Sequence, residues 1–329
     1  MIKNWTKMTF MTFMFFSTMM ALSSNNWLGS WMGLEINLIA FTSLMYMKLN
    51  YYTSESSMKY FIIQSMGSSI LLLGIIILSL KIMENTIIMM MGLMIKLGAA
   101  PFHMWMISMM ESLNWMNCLI LSTWQKIATL MLMSYIINKT SMINVVLSLI
   151  VGSIGGINQL SIKKMMAYSS INNMGWIIMS MMISMKLWMN YFIIYSMMIT
   201  SLMIMMMKMK FNYLNQCLFT SSSPLNKLMF STMMMSMGGL PPMLGFLPKF
   251  MTMQSMTLNE NFMMLMLMIS SSLITLYFYM QICVTMMTLN SSKLKWKLMF
   301  NKNSSIMMIM MCMVNMLGFT IIITMKSIN

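Results

Sequence analysis

Eleven apolar segments follow one another along the chain, with only short polar stretches between them. A helix needs roughly 20 apolar residues to cross the hydrocarbon layer of a bilayer. We therefore predict membrane crossings at 8–24, 27–46, 58–80, 86–107, 115–137, 142–160, 166–184, 188–207, 227–257, 262–289 and 304–325. Charged residues make up 8% of the 329 residues, against roughly 25% in a soluble domain. The pattern predicts an all-α polytopic membrane protein that forms a single membrane domain over residues 1–329.

The positive charge predicts the orientation of these crossings. A net charge of +15 would suggest a nucleic-acid partner in a soluble protein, but here the lysines concentrate in the loops and no nucleic-acid partner is expected. Lysine-rich ends face the compartment of synthesis. The N-terminal side holds Lys3, Lys7, Lys48, Lys59, Lys163, Lys164, Lys208, Lys210, Lys227, Lys293, Lys295, Lys297 and Lys302, and the opposite side holds Lys81, Lys139, Lys186 and Lys326.

The fourth segment contains a break signal and a buried charge. In MGLMIKLGAAPFHMW, residues 91–105, Lys96 lies in an apolar run and Pro101 follows Gly98. Proline removes a backbone donor and ends a helix, and a lysine at a bilayer centre costs about 2.5–3.5 kcal/mol. Freed backbone at membrane depth is tolerated only against protein or a water-filled cavity. We expect a broken helix beside an ion path.

The ninth segment has a second break signal, at Gly238-Gly239 and Pro241-Pro242. The interrupted helices are then the fourth and the ninth, five apart. Interrupted spans at matching positions of two halves are typical of inverted-repeat transporters. We predict antiporter-like inverted five-helix repeats with two broken helices, the first over about 8–137 and the second over about 142–289, followed by an eleventh helix at about 304–325.

Among the lysines and glutamates, Glu35, Lys96, Lys126 and Lys249 lie within the predicted crossings and away from their ends. Burial shifts both carboxylic acids and amines towards their neutral forms, so such groups can exchange protons near neutral pH. A static Glu35–Lys96 ion pair remains an alternative, as does capping of a half-helix by Lys249. His103 lies seven positions after Lys96 and would share its face in an unbroken helix; a structural histidine and a proton relay stay equally open.

Five motifs stand out along the chain: GLEINLIAF at 33–41, MIKLGAAPFHMW at 94–105, TWQKIA at 123–128, GGINQLSIKKMMAYSSINNMGW at 155–176 and SMGGLPPMLGFLPKF at 236–250. Together they resemble the chain 2 family of mitochondrial NADH:ubiquinone oxidoreductase, respiratory complex I. The family is similar to cation/proton antiporter subunits. The resemblance implies a proton path through Glu35, Lys96, Lys126 and Lys249, coupled to electron transfer from NADH to ubiquinone in other subunits.

The resemblance also implies the setting of the chain. We expect a multi-pass subunit of the mitochondrial inner membrane with its N-terminus in the matrix and its C-terminus in the intermembrane space. Its partners would be other membrane-arm subunits, including neighbouring antiporter-like chains, and the lipid bilayer, with room for a phospholipid such as cardiolipin. The sequence has no Rossmann glycine fingerprint, cysteine cluster or haem motif, so we expect no metal or cofactor on this chain, and NADH, FMN, iron–sulfur centres and ubiquinone elsewhere in the complex.

Two positions depart from the family pattern. The motif AYSSIxHxGW commonly has a histidine where this chain has Asn173, and LYFYM is followed by Gln281 instead of arginine. Because neither amide can titrate, we expect an ordered water beside Asn173 to carry protons passing from Lys126 towards Lys249. A free-standing cation/proton antiporter and a purely structural membrane spacer remain alternatives to the complex I subunit.

Overall fold

A computed structural model describes residues 2–46, 51–81, 86–209, 211–214, 216, 224–288, 310, 312–313 and 315–316. Within these ranges the chain is built of α-helices, with one isolated antiparallel bridge between Ser161 and Tyr213. The helices are α1 Ile2–Ser23, α2 Trp27–Tyr46, α3 Tyr51–Ser79, α4 Ile87–Leu97, α5 Met104–Ser112, α6 Trp115–Ser122, α7 Trp124–Ile136, α8 Ser141–Ile154, α9 Ile162–Ile183, α10 Met185–Met209, α11 Pro224–Gly238, α12 Phe246–Leu258 and α13 Phe262–Thr288. The predicted all-α class is confirmed for the described residues.

Five helical stretches in the described part of the chain are long and apolar enough to cross a membrane. They are Trp27–Tyr46, Tyr51–Ser79, Trp115–Ile136, Met185–Met209 and Phe262–Met287. The interruptions reduce the fourth and ninth predicted crossings to half-helices too short to span alone. The eleven crossings therefore remain a prediction, and most of the last one, 304–325, lies outside the described residues.

Some helix ends differ from the prediction. The sixth crossing, predicted over 142–160, ends at Ile154, because Gly155-Gly156 follows and glycine is a poor helix former. The third begins seven residues earlier than predicted, at Tyr51 instead of residue 58. Its first turns are polar but helical, and an exposed ion pair joins Glu55 and Lys59 across one turn.

The chain forms two compact units, Met1–Leu147 and Ser148–Asn329, and the boundary between them falls within α8. In the first unit α3 packs on α2 and α4, and α7 contacts α1, α2 and α4. In the second unit α10, α12 and α13 surround α9, and α11 packs on α13. The inverted five-helix repeats over about 8–137 and 142–289 stay a prediction.

Glycines bring α3 and α4 into close contact in the first unit. A Cβ added at Gly92 would lie 2.8 Å from the backbone N of Leu71, and one added at Gly74 would lie 2.9 Å from the backbone N of Met89. Small residues allow helix backbones to approach closely in membranes. This contact positions α4, and therefore Lys96, against α3.

The first interruption begins one residue after α4. Gly98 has a φ of +67°, and its N–H donates to the carbonyl of Ile95 at 3.2 Å while that of Ala99 donates to the carbonyl of Met94 at 3.3 Å. This pattern is a Schellman termination, which requires a left-handed residue and so favours glycine. Pro101 follows, and the chain resumes as α5 at Met104.

The second interruption repeats this pattern. Gly239 has a φ of +80°, and its N–H donates to the carbonyl of Ser236 at 3.0 Å while that of Leu240 donates to the carbonyl of Met235 at 3.3 Å. Pro242 follows Gly239 at the same spacing as Pro101 follows Gly98, and α12 begins at Phe246. The structure thus interrupts both helices where the sequence predicts.

A third interruption was not predicted. Thr123 separates α6 from α7 with φ −119° and ψ −70°, and its hydroxyl donates to the carbonyl of Leu119 at 2.7 Å. A threonine hydroxyl that bonds back to the preceding turn competes with the backbone ladder and bends helices. Lys126 consequently lies in the first turn of α7, just after this bend within the stretch Trp115–Ile136.

Candidate functional site

Lys96 and Lys126 line one cavity in the first unit. Its volume is about 20 Å³, enough for water, which needs about 10–15 Å³. The other polar groups in its wall are those of Asn37, Tyr60, Gln64, Trp105, Gln125 and Thr129. A polar cavity of this size with several donors and acceptors is suited to an ordered water. The structure therefore brings together two of the four ionisable residues selected from the sequence.

Lys96 lies in the last turn of α4, just before the break, and is only 8% exposed. The Gln64 side chain, from α3, donates to the backbone carbonyl of Lys96 at 3.3 Å. Glu35 acts electrostatically on Lys96, but the two are not within the 4.0 Å of a direct ion pair, and Oε1 of Glu35 is buried without a hydrogen-bond partner. The static ion pair considered from the sequence is therefore not formed.

Side chains from elsewhere in the first unit satisfy the carbonyls that the break in α4 releases. The indole N–H of Trp105 donates to the carbonyl of Ile95 at 3.1 Å, and its ring packs edge-on against Tyr60 at 5.9 Å. Freed backbone at membrane depth needs such partners. Trp105 thereby ties the start of α5 to the end of α4 beside Lys96.

Lys126 is 3% exposed and follows a residue that joins α7 to α2. The amides of Gln125 and Asn37 form a closed pair: each donates to the other's oxygen at 3.0 Å. Gln125 also contacts the sulfur of Met14 at 3.5 Å. This amide pair, Asn37 with Gln125, forms part of the wall of the cavity that Lys126 also lines.

His103 lies apart from this cavity. It stands between the break and α5, partly exposed, with Nδ1 3.1 Å from the carbonyl oxygen of Pro101. The interruption separates His103 from Lys96, so the face that they would share in an unbroken helix is absent. The Nδ1 contact is what a hydrogen-bonded structural histidine requires, and the relay role stays a prediction.

Lys249 lies in the second unit, 4% exposed, in the first turn of α12. Its amine donates to the carbonyl of Gly238, the last residue of α11, at 2.9 Å. It also lies 5.9 Å from the ring centroid of Trp176. The half-helix capping considered from the sequence is therefore present, and a cation–π contact accompanies it.

Gly239 makes room for this lysine. A Cβ on Gly239 would lie 2.9 Å from Nζ of Lys249, so the glycine is needed both for its positive φ and for the approach of the amine. The positions proposed as hinges, Gly98, Pro101, Gly238, Gly239, Pro241 and Pro242, all lie at or beside the two interruptions. Movement at these positions stays a prediction.

The two departures from the family pattern occupy different environments. Asn173 is 6% exposed and its Oδ1 accepts a hydrogen bond from the Tyr191 hydroxyl at 3.1 Å. Gln281 is exposed on the surface of α13. The ordered water predicted beside Asn173 remains a prediction, while the amide itself already has a protein partner.

Sequence reasoning did not select Asn37, Gln64, Gln125 or Tyr191 as functional candidates. They share one feature that the sequence shows: each is a polar side chain within an apolar helix, and burying such a group costs free energy unless it is hydrogen-bonded. No regular spacing in the sequence connects them, because their partners come from other helices. Among the described residues, no group of three or more His, Cys, Asp or Glu side chains could hold a metal ion.

The chain matches a protein family and several solved structures. The family described as NADH:quinone oxidoreductase/Mrp antiporter, TM, matches residues 24–81 and 77–275. NADH-ubiquinone oxidoreductase chain 2 of Anopheles gambiae is 46% identical over 90% of either chain, and that of Locusta migratoria is 42% identical over the same shares. That of Sylvisorex lunaris is 36% identical over 91% of either chain.

Solved structures with low sequence identity also share the fold of this chain. A chain of respiratory complex I from Thermus thermophilus superposes with a TM-score of 0.77 at 19% identity, covering 85% of this chain and 70% of that one. A chain of the Mrp complex from Dietzia sp. DQ12-45-1b superposes at 0.74 with 14% identity and covers 82% of this chain, which spans 58% of that longer chain. With the relatives at 46% and 42% identity over nearly the whole sequence, this chain belongs to the NADH-ubiquinone oxidoreductase chain 2 family.

Proposed function

We propose that this chain is a core membrane-arm subunit of proton-translocating NADH:ubiquinone oxidoreductase and that it moves protons through its interior while the redox reactions take place on other subunits. One observation carries the proposal beyond family membership: two buried lysines, Lys96 and Lys126, share a polar cavity with room for water. Lysine suits this role because its amine can lose and regain a proton, which a guanidinium cannot do in proteins.

The cavity supports exchange between these lysines through water. A proton released by one ammonium group passes to a water, which releases another proton towards the second amine. Glu35 acts on Lys96 from outside the cavity wall, so its charge state would favour or disfavour the protonated amine. Moving one charge across 100 mV takes about 2.3 kcal/mol, which is the size of a shift of fewer than two pKa units.

The remaining parts of the assignment follow from the family and from the two matched interruptions. We propose eleven crossings in inverted five-helix repeats, with the two Schellman terminations at corresponding positions. The chain would lie in the mitochondrial inner membrane, with its N-terminus in the matrix and its C-terminus in the intermembrane space, beside other antiporter-like chains. NADH, flavin, iron–sulfur centres and ubiquinone would bind elsewhere in the complex.

The test replaces Lys126 by methionine in the assembled complex. Lys126→Met keeps much of the apolar stem and removes the amine, so we expect the complex to assemble on native gels but to lose most of its proton translocation per NADH oxidised in liposomes. Lys59→Met is the matched control, because Lys59 lies in an exposed ion pair of the same unit and such pairs contribute little. Normal proton translocation by Lys126→Met would reject the proposed role of the cavity.

The free-standing antiporter makes a separate prediction. The purified chain alone, reconstituted into liposomes, would then exchange cations for protons. We expect no exchange by the chain alone, and native-gel mass spectrometry should find it within a large NADH-oxidising assembly. Cation-dependent proton movement in the absence of the other subunits would favour the antiporter instead.

A further inference from the structure

A short helical stretch late in the chain packs against the second interruption. Its described residues, 310, 312–313 and 315–316, are helical, and we call them the last segment. Met310, Met313 and Met316 face outwards and are 63%, 61% and 44% exposed. Cys312 and Asn315 are also three positions apart, a spacing that places side chains on one face of a helix. Asn315 is only 5% exposed, so this second face is the one that packs on the protein.

The inward face of the last segment lies along α11. The Cys312 sulfur lies 3.9 Å from the Met229 carbonyl oxygen and 3.9 Å from the Thr232 hydroxyl oxygen. One turn further along the last segment, the Asn315 amide donates a hydrogen bond to the sulfur of Met233. The last segment therefore contacts α11 over a full turn, and these contacts fix its position along that helix.

The sulfur of Met233 is shared by groups from two other elements. Besides the Asn315 amide, the Ser201 hydroxyl of α10 lies 3.5 Å from it, and the Met233 side chain is 2% exposed. Burying an amide costs free energy unless it is hydrogen-bonded, and a thioether sulfur is only a weak acceptor. Leucine would fill similar space without this cost, so packing alone does not require an amide at position 315.

Asn315 also contacts the chain that leaves the second interruption. We call residues 239–245 the connection, because they join α11 to α12. The backbone carbonyl of Asn315 accepts a hydrogen bond from the N–H of Leu244 at 3.0 Å. The N–H groups on either side stay local, since that of Met243 donates to Leu240 at 2.8 Å and that of Phe246 donates to Met243 at 3.1 Å. The Leu244 bond therefore ties the connection to the last segment.

The connection is closely packed where it joins α12. A Cβ added at Gly245 would lie 1.8 Å from the carbonyl oxygen of Ser236 and 2.9 Å from the sulfur of Met198. Lys249 follows Gly245 by four positions, and its amine donates to the carbonyl of Gly238 at 2.9 Å. The amine and its acceptor thus lie on opposite sides of the connection, so the path of the connection determines whether the two groups meet.

We propose that Asn315 is a positioning residue for the second interruption. Its amide anchors the last segment on Met233, and its carbonyl then holds the connection at Leu244. Held in this way, the connection keeps the Lys249 amine at the Gly238 carbonyl. The positions predicted as hinges in this half of the sequence, 238–242, lie in or beside the connection, so Asn315 limits how far they move.

The test is Asn315→Leu in the assembled complex, read by hydrogen–deuterium exchange in peptides that cover the connection. Leucine removes the amide donor and keeps a side chain of similar size, so the last segment loses its anchor and the Leu244 N–H loses its acceptor. Amide exchange measures such local opening, and we expect it to be at least threefold faster within 239–248. Because this inference rests on the proposed function for its effect on activity, we also expect at least a twofold loss of protons translocated per NADH oxidised.

Met233→Leu tests the same contact from the other side. It conserves side-chain volume and removes the acceptor, so exchange in the connection should become faster, as in Asn315→Leu. The double variant should exchange no faster than the faster single variant, because both changes break one contact. An asparagine that only filled space would not respond to Met233→Leu. The matched controls are Asn190→Leu, at an exposed position of α10, and Met313→Leu, on the outward face of the last segment; both should exchange like the parent.

The outcomes separate this inference from the proposed function. Parent-like exchange of the connection in Asn315→Leu overturns the inference, and so does faster exchange with normal translocation; in either case the proposed function stands if Lys126→Met loses translocation. If Lys126→Met and Asn315→Leu both translocate normally, both proposals are wrong. Should Asn315→Leu fail to assemble, Met233→Leu decides, and either parent-like exchange or failed assembly of that variant overturns the inference.

Discussion

The amide pair of Asn37 and Gln125 allows a quantitative test of the first unit. Gln125→Leu leaves the Asn37 amide without its two reciprocal hydrogen bonds, and Asn37→Leu does the same to Gln125, which keeps its contact with the Met14 sulfur. A buried donor or acceptor left unsatisfied costs about 1–3 kcal/mol. Because the adjacent cavity can admit water, we expect a loss of stability at the low end of this range, about 1 kcal/mol for Asn37→Leu. The loss should be somewhat larger for Gln125→Leu, since the Asn37 amide then keeps no other hydrogen bond within the described part of the chain.

The double variant should cost less than the sum. With both amides replaced by leucine no polar group is left unpaired, and replacing both partners by apolar groups can be nearly neutral. We expect an interaction energy of about 1–2 kcal/mol, within the range for residues in contact.

The assay is the rate of irreversible thermal inactivation of NADH:quinone turnover in the assembled complex, since such loss follows the unfolding barrier. About 1.4 kcal/mol corresponds to tenfold in rate, so each single variant should inactivate roughly five- to tenfold faster and the double variant close to the parent. Asn190→Leu, at an exposed position of α10, is the control and should change little. Additive losses in the two single variants would show that the amides do not act as a pair.

Two further predictions concern Asn173, where the chain departs from the family pattern, and the ionisable residues Glu35 and Lys96. Asn173→His should keep proton translocation, because an imidazole nitrogen can accept a hydrogen bond from Tyr191. Asn173→Leu should uncouple NADH oxidation from translocation and cost about 1–3 kcal/mol of stability, because the Tyr191 hydroxyl loses its partner. Wild-type coupling in Asn173→Leu would contradict this. Glu35→Gln and Lys96→Met should each slow coupled turnover in an intact complex, and the double change should cost less than the sum of the two. Independent, additive losses measured as turnover ratios would mean that Glu35 and Lys96 act separately.

The local features of the fold were predictable from the sequence. Apolar segments of helical length indicate membrane helices because unpaired backbone groups are too costly in lipid. The breaks after α4 and α11 could also be predicted from the sequence, since Gly98 and Gly239 adopt left-handed conformations and Pro101 and Pro242 cannot continue a helix. These outcomes depend on a few consecutive residues, and the break at Thr123 was missed because a single threonine is a much weaker signal.

The relations between side chains were decided by the tertiary structure. Lys96 and Lys126 share a cavity while Glu35 stays outside its wall, His103 turns to its own backbone, and Lys249 caps the half-helix that ends at Gly238. Periodicity places each residue on a face of its own helix, but which faces meet depends on the packing of helices distant in sequence, as at the glycine contact of α3 with α4. The sequence by itself therefore determined that Lys96, Lys126 and Lys249 are buried and that helices break after α4 and α11, and only the packed structure determined which polar groups surround these lysines.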